Sequence, residues 1–380
     1  MTGWKECLLG DVITLKRGYD LPHSARLPGP FPVVSSSGIT DHHAEPKVKA
    51  PGVVTGRYGT LGQVFFVSKD YWPLNTSLYV QDFKGNDPNF IALLLSTLSF
   101  GSHNTAGAVP GVNRNHLHAM EVCVPPLPIQ RRIAGILSAY DDLIENSQRR
   151  IKILEEMARR LYREWFVYFR FPGHESCRFE ESPLGEIPEG WEVKLLPDCV
   201  AMNPRVQVPR EGIKPFVPMG CLSNDSMLIS NIESREGNSG SKFQNADTLF
   251  ARITPCLENG KTGYVHFLSG SDSVAFGSTE FIVLGSGSLT PELVYLLARS
   301  DEFRGVAIKS MSGATGRQRV QEKCFDDYLV IQPSPILLDA FSSVVRPGFD
   351  LIYKLHLEIQ NLRRTRDLLL PRLLSGQIDV

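Results

Sequence analysis

The chain has 380 residues, enough for two or more domains, and its 42% hydrophobic and 21% charged content is that of a folded water-soluble protein. A net charge of -1 excludes a global field that draws in polyanions, so any nucleic-acid role needs local basic patches. Seven scattered cysteines without a C-x-x-C pair suit free thiols in a reducing cytoplasm, and neither a signal peptide nor an apolar run of ~20 residues is visible.

Residues 1–125 read as a first α/β unit with much loop. Trp4 to Leu15 is a docking segment followed by a strand. Phe31–Val34, Val53–Thr55, Gln63–Val67 and Ser77–Val80 are short strands, and Met120–Val124 is a last one. Phe90 to Leu98 reads as a helix because Asp87-Pro88 marks its start. Gly101 to Asn115 reads as a Gly-rich loop.

A long helix is predicted within residues 126–170. Ile133, Leu137, Tyr140, Ile144, Ser147, Ile151, Leu154, Ala158, Leu161 and Trp165 follow one another by steps of four and three without a slip. That is the a/d seam of a helix lying along another helix. Ile133 to Trp165 spans roughly 48 Å at ~1.5 Å per residue, more than one small domain needs. Residues 171–190, rich in Pro, Gly and acidic residues, form a linker.

Residues 191–332 repeat the first unit. Trp191-Glu-Val-Lys-Leu-Leu answers Trp4-Lys-Glu-Cys-Leu-Leu, and Leu249-Phe-Ala-Arg252 answers Val54-Thr-Gly-Arg57. Pro291 to Leu297 answers Pro88 to Leu94. The offset grows from 187 at Trp4 and Trp191 to 207 at Pro126 and Pro333, as small insertions would produce. Residues 333–380 then supply the second long helix. Phe341, Val345, Gly348, Ile352, Leu355, Ile359, Leu362, Arg366, Leu369 and Leu373 carry the same four-three alternation. Pro347-Gly348 is expected to start or kink this helix, and Arg366 is a flaw in its seam. The chain thus reads as a tandem duplication of globule and long helix. The fold class is α/β: two duplicated α/β domains joined by two long helices in an antiparallel coiled coil.

Two stretches carry a resemblance. One is Pro125-Pro-Leu-Pro-Ile-Gln130 with Ile133 at the entry to the central helix; the other is Leu-Leu-Pro-Arg-Leu-Leu-Ser-Gly-Gln-Ile from Leu369 to Ile378. With the duplicated architecture, they resemble the specificity subunit of type I restriction-modification enzymes over the full length. Pro333-Ser-Pro-Ile-Leu-Leu departs from the pattern in lacking the Gln. The resemblance implies two target recognition domains reading a bipartite double-stranded DNA site. It also implies helices that set their distance and carry two methyltransferase (modification) subunits, with room for an ATP-dependent restriction subunit. It implies no catalysis by this chain, no cofactor, a cytoplasmic location and no membrane partner. The alternatives are a fused nuclease or methyltransferase, or a coiled-coil scaffold that does not touch DNA.

The motifs favour the reader. Glu258-Asn-Gly-Lys261-Thr262 fails as a phosphate-binding loop because Pro255 occupies the required Gly. Asn203-Pro204-Arg205 does not fit an amino-methyltransferase motif, and Asp70 with Asp82-Phe-Lys84 is a common acid-x-Lys text. His42-His43, His103, His116 and His118 lack zinc spacing and read as solvated loop residues. Arg, Asn and Gln in loops can grip base edges, and shorter polar side chains phosphates. The DNA-binding candidates at matching repeat positions are Arg57, Tyr58, Thr60, Asn75, Thr76, Ser77, Asn113 and Arg114 in the first unit. In the second they are Arg252, Thr254, Lys261, Ser278, Thr279, Arg317, Gln318 and Arg319. Gly-Val-Asn-Arg at 111–114 is set against Gly-Arg-Gln-Arg at 316–319.

Overall fold

A computed structural model describes residues 3–58, 61–98, 111–269, 273–314 and 316–380. The chain divides into two compact units, Met1–Ile144 with Gln360–Val380, and Glu145–Ile359.

In the first unit the chain runs β1 (Lys5–Leu8), α1 (Leu9–Val12), β2 (Thr14–Arg17), β3 (Phe31–Ser35), β4 (Gly38–His43), β5 (Gly52–Gly56), β6 (Val64–Val67), β7 (Trp72–Pro73), β8 (Ser77–Asp82), α2 (Pro88–Thr97), α3 (Arg114–His118) and β9 (Glu121–Val124). An antiparallel sheet has the order β2-β8-β5-β6, a second the order β4-β3-β7, and β1 pairs with β9. Alternate side chains of β5 and β8 serve two cores, as strand geometry requires. Val53, Leu78 and Val80 join Leu9, Phe90, Leu94, Ile133 and Leu137, whereas Val54 and Tyr79 join Val34 and Tyr71 on the other face. Helix α2 starts where the sequence marks it: the Asp87 carboxylate accepts the Phe90 N–H at 3.0 Å, Pro88 fills the first turn, and Phe90, Ile91, Leu94 and Leu95 are buried.

The helix α4 (Leu127–Tyr162) begins in this unit. Ile133 and Leu137 are fully buried, Ile144 is buried and Tyr140 is half-buried. Leu369 and Leu373 of the C-terminal helix pack in the same cluster as Ile133 and Leu137. Arg366, the apparent flaw, is half-buried, its guanidinium 2.5 Å from Asp141 and 2.9 Å from Asp367.

The second unit continues α4 into a π-helical turn, Arg163–Val167. There follow β10 (Phe179–Ser182), β11 (Gly185–Pro188), β12 (Glu192–Leu195), α5 (Leu196–Cys199), β13 (Val200–Met202), β14 (Ile213–Val217), β15 (Glu233–Glu236), β16 (Ser241–Gln244), β17 (Thr248–Ala251), β18 (Thr262–Tyr264), β19 (Val274–Gly277), β20 (Phe281–Ser286), α6 (Pro291–Ala298), α7 (Asp301–Lys309), β21 (Leu329–Gln332) and α8 (Pro335–Leu374). The main sheet has the order β13-β20-β17-β18, element for element that of β2-β8-β5-β6. The parallel pair β14–β19 repeats β3–β7, and the ribbon β12–β21 repeats β1–β9. The duplication read from weak sequence echoes is therefore a duplication of strand order. Phe250, Phe303 and Phe325 fill this core, with ring centroids 4.5 Å apart for Phe303–Phe325 and 5.4 Å for Phe250–Phe303.

On the helices of this unit, Ile151, Ala158 and Trp165 are buried, as are Ile352, Leu355 and Ile359; Leu154 and Leu161 are half-buried. Leu362, in the first unit's share of α8, is half-buried too. Phe341 meets Trp165 and Phe166 at centroid distances of 5.7 and 4.8 Å. Two expectations are corrected. Helix α8 starts at Pro335 and passes through Pro347-Gly348, because Phe341, Val345, Phe349 and Ile352 keep one buried face across the proline. Residues 99–110, with most of the predicted loop and His103, lie outside the described residues; α3 begins at Arg114, and its His118 is no solvated loop residue: its Nε2 accepts the Leu15 N–H at 2.9 Å. His43 is likewise buried on β4, accepting the Leu27 N–H at 3.0 Å. Among the described residues, no helix is long and apolar enough to cross a membrane.

Candidate nucleic-acid interface

In the first unit, β5 ends at Gly56 and hands the chain to Arg57. The N–H groups of Arg57 and Tyr58 donate to the Thr76 carbonyl at 2.9 and 3.2 Å, and the Arg57 carbonyl accepts the Val112 N–H at 2.9 Å. The backbone is therefore pinned on both sides, while the Arg57 guanidinium lies over the Tyr58 ring, 4.5 Å from its centroid. A Cβ at Gly111 would sit 2.6 Å from that exposed ring, so a larger residue there would displace the Tyr58 side chain. Asn113 caps α3, its Oδ1 accepting the Asn115 N–H at 2.9 Å, and Arg114 stands exposed at the first helical position. Arg17, Arg57, Tyr58, Gly111, Asn113 and Arg114 together line a cleft of about 450 Å³.

The remaining candidates of this unit fall elsewhere. Ser77 is corrected: it is fully buried, and its hydroxyl donates to the Leu74 carbonyl at 2.8 Å. The Asn75 amide donates to Asp20. Thr76 offers its carbonyl to the Arg57 turn, and its hydroxyl is buried. Thr60 lies outside the described residues. Arg17 was missed, since it ends a strand rather than sitting in a loop.

The second unit builds a cleft of about 590 Å³ at the same place on its sheet. Arg252 follows β17 as Arg57 follows β5; its N–H donates to the Glu280 carbonyl at 3.0 Å and its carbonyl accepts the Val320 N–H at 2.8 Å. Its guanidinium binds the Glu322 carboxylate, to which the Asn203 amide also donates, at 2.9 Å. Asn203 adopts the left-handed region with φ 46°, which Asn tolerates better than most residues, and its Oδ1 accepts the Val283 N–H at 2.9 Å. Arg252 and Thr279 line this cleft with Asn203, Arg205, Lys242 and Ser241.

Other candidates of this unit are committed inside the protein. Lys261 donates to the Met219 carbonyl at 3.0 Å. The Thr254 hydroxyl accepts the Gln318 N–H at 3.0 Å, and the Ser278 hydroxyl accepts the Glu280 N–H at 3.2 Å. Arg319 forms a forked pair with Glu280 at 2.6 to 3.0 Å, which holds the Glu280 carboxyl below its ordinary range. Arg317 is exposed and does not line the cleft. Arg205 and Lys242 were missed. The signal was present, since Arg17 and Arg205 stand 188 residues apart, close to the offset of 187 at the tryptophans.

Hydrogen bonds also correct the repeat register. Val112 bonds Arg57 as Val320 bonds Arg252, and the bridge Tyr58–Gly111 repeats as Ile253–Arg319. Asn113 precedes α3 as Gln321 precedes the 3-10 turn Glu322–Phe325, and buried Leu117 answers buried Phe325. The offset is 208 from Gly111–Arg319 through Val124–Gln332. Gly111–Arg114 therefore answers Arg319–Glu322, not Gly316–Arg319. Arg114 in one unit stands where the other has Glu322.

Residues 1–156 match the family described as the type I restriction modification DNA specificity domain. The chain is 27% identical over 285 residues to the type I restriction enzyme MjaIX specificity subunit of Methanocaldococcus jannaschii, an alignment covering 71% of this chain and 63% of that subunit. It is 31% identical over 163 residues to the EcoEI specificity subunit of Escherichia coli, covering 40% of this chain and 27% of that one. The chain thus spans about 63% and 27% of the lengths of these two curated relatives. The fold is similar to the crystal structure of a type I restriction-modification S subunit from M. genitalium, with TM-score 0.64 at 15% identity, covering 98% of this chain and 96% of that one. Residues 1–156 thus match the type I restriction modification DNA specificity domain, and the chain that contains them is similar to type I specificity subunits.

Proposed function

We propose that this chain is the DNA-reading, non-catalytic specificity subunit of a type I restriction-modification assembly. In this reading residues 1–125 and 191–332 are two recognition domains joined through the linker 171–190, and each cleft engages one half of a bipartite duplex site. The helices of 126–170 and 333–380 pair antiparallel, fix the spacing and dock two methyltransferase subunits, beside which an ATP-dependent restriction subunit can bind. The observation that carries the reading is the repeated cleft: the same sheet order presents basic side chains in both units, Arg17, Arg57 and Arg114 in one and Arg205, Lys242 and Arg252 in the other. Arg17 answers Arg205 and Arg57 answers Arg252, whose charge Glu322 balances, while Arg114 and Lys242 stand at places of their own; a chain of net charge -1 thus gathers a local basic group in each cleft, which is what a polyanion would meet.

Helix pairing is supported within each unit separately. Asp141 meets Arg366 in the first, and Trp165 meets Phe341 in the second.

The full chain, co-expressed with its methyltransferase subunits, is tested by selection from a random duplex library. Enrichment of a two-part motif with a constant gap is expected. A single contiguous motif, or no enrichment, would overturn the proposal.

A further inference from the structure

The corrected register exposes a charge reversal. From Gly111 to Val124 and from Arg319 to Gln332 the two units share one backbone plan, and within it Arg114 is replaced by Glu322. Both positions open the first turn after the capping residue beside the cleft. One offers a guanidinium, a pure donor; the other offers a carboxylate, a pure acceptor.

Glu322 is held as a reading group would be. One carboxylate oxygen takes Arg252 Nη1 and the other takes Asn203 Nδ2. Asn203 is itself fixed, its Oδ1 on the Val283 N–H of β20, and both partners line the cleft. A carboxylate has about four acceptor sites, of which these bonds use two. The side chain keeps 33% of its surface exposed. With its charge already met by Arg252 and no donor of its own, this carboxylate cannot serve the backbone as Arg205 or Lys242 can. What it can accept is a hydrogen bond from an amine, and in the major groove the amines are adenine N6 and cytosine N4.

Building on the DNA-reading proposal, we infer that Glu322 is a specificity-determining residue of the second unit, accepting a hydrogen bond from the exocyclic amine of adenine or cytosine in the half-site this cleft reads. Arg114, its counterpart, donates to an acceptor edge such as guanine O6 and N7, so the two clefts read opposite hydrogen-bond polarities from one backbone frame.

The test compares the full chain, Glu322→Ala, Glu322→Gln and Glu322→Arg, each co-expressed with the methyltransferase subunits, in the random-duplex selection. Melting temperature is measured alongside. Wild type is expected to require an amine-bearing base at one position of one half-site. E322A should lose that requirement alone, binding the preferred duplex roughly 5- to 100-fold more weakly, as loss of one base contact does. E322R should turn the position toward guanine. E322Q is nearly isosteric but keeps one acceptor oxygen in place of two, so it retains the bond to either Arg252 or Asn203 and loses the other; it is the milder variant should E322A fail to fold. Its amide also donates, and it should admit acceptor edges at that position. The other half-site should be unchanged in all three variants. A glutamate that merely braced Arg252 would either weaken every sequence alike or shift the preference at a guanine that Arg252 reads, not at an amine-bearing base, and either result overturns the inference while the reader stands. No enriched motif for wild type would overturn the DNA-reading proposal and this inference with it.

Discussion

His118 ties α3 to β2, the strand that carries Arg17, and it does so only as a neutral ring. Its Nε2 must accept the Leu15 N–H, and burial, aided by Arg114 and then Lys84, pushes its pKa below the ordinary histidine value. The folded protein therefore binds fewer protons than the unfolded chain when the pH falls below that value, so stability present above it is lost on acidification. His118→Ala should cost about 1–3 kcal/mol by leaving the Leu15 N–H unpaired, and should flatten the pH dependence of unfolding below the ordinary histidine pKa. An unchanged midpoint across that range would contradict the role. Asp247 is the opposite case. Burial lifts its carboxyl to about 6, although the Gln244 N–H donates to it. The folded state holds its proton more tightly than the unfolded chain, so stability should fall as pH rises from about 4 to 6. Asp247→Asn should remove that fall and gain on the order of 2–3 kcal/mol at pH 7. Chemical unfolding at pH 4.5 and 7 checks both the sign and the size. At this scale the sequence was legible where a residue type and a repeat position coincided, as for Arg57 and Arg252, which both reach the clefts; Arg114 and Thr279 reach them too, Arg114 from a repeat position that was misread. It was misleading where a polar side chain is consumed inside the protein. Ser77, Thr254, Ser278 and Lys261 look like contact residues as text, but their partners are carbonyls and N–H groups distant in sequence or hidden in turns.

The elements follow the pattern written in the chain where their period is long enough to see. The four-three steps from Ile133 to Trp165 fall on buried or half-buried positions throughout α4 and its π turn. The five-residue α3 shows no period, and with it the repeat register slipped by three residues. The proline in α8 was overread, since one lost backbone bond of about 3 kcal/mol is offset by apolar burial on both sides of it. Trp165 and Phe341 test the contact between the helices of the second unit. Each change to Ala should cost about 3–5 kcal/mol, and the pair should fall short of additivity by about 0.5–1.5 kcal/mol. Strict additivity in a double-mutant cycle would mean that the two rings do not share an interface. Phe250→Ala opens the Phe303–Phe325 cluster and should cost about 3–5 kcal/mol without touching the cleft of the first unit.

For the whole molecule, the central claim is that two clefts read two half-sites at a spacing set by paired helices. Duplication was legible because tryptophans, prolines and glycines recur in order. The polarity of each cleft was not, because it depends on a register that only backbone hydrogen bonds fix. The most direct measurement is the affinity of the full chain, with its methyltransferase subunits, for the selected duplex and for the same duplex with one base pair added to the gap. An added pair shifts one half-site by about 3.4 Å and rotates it by about a tenth of a turn. Rigidly spaced readers cannot follow both changes, so binding should drop to the level of a duplex with one half scrambled. Equal affinity for the two duplexes would contradict the account.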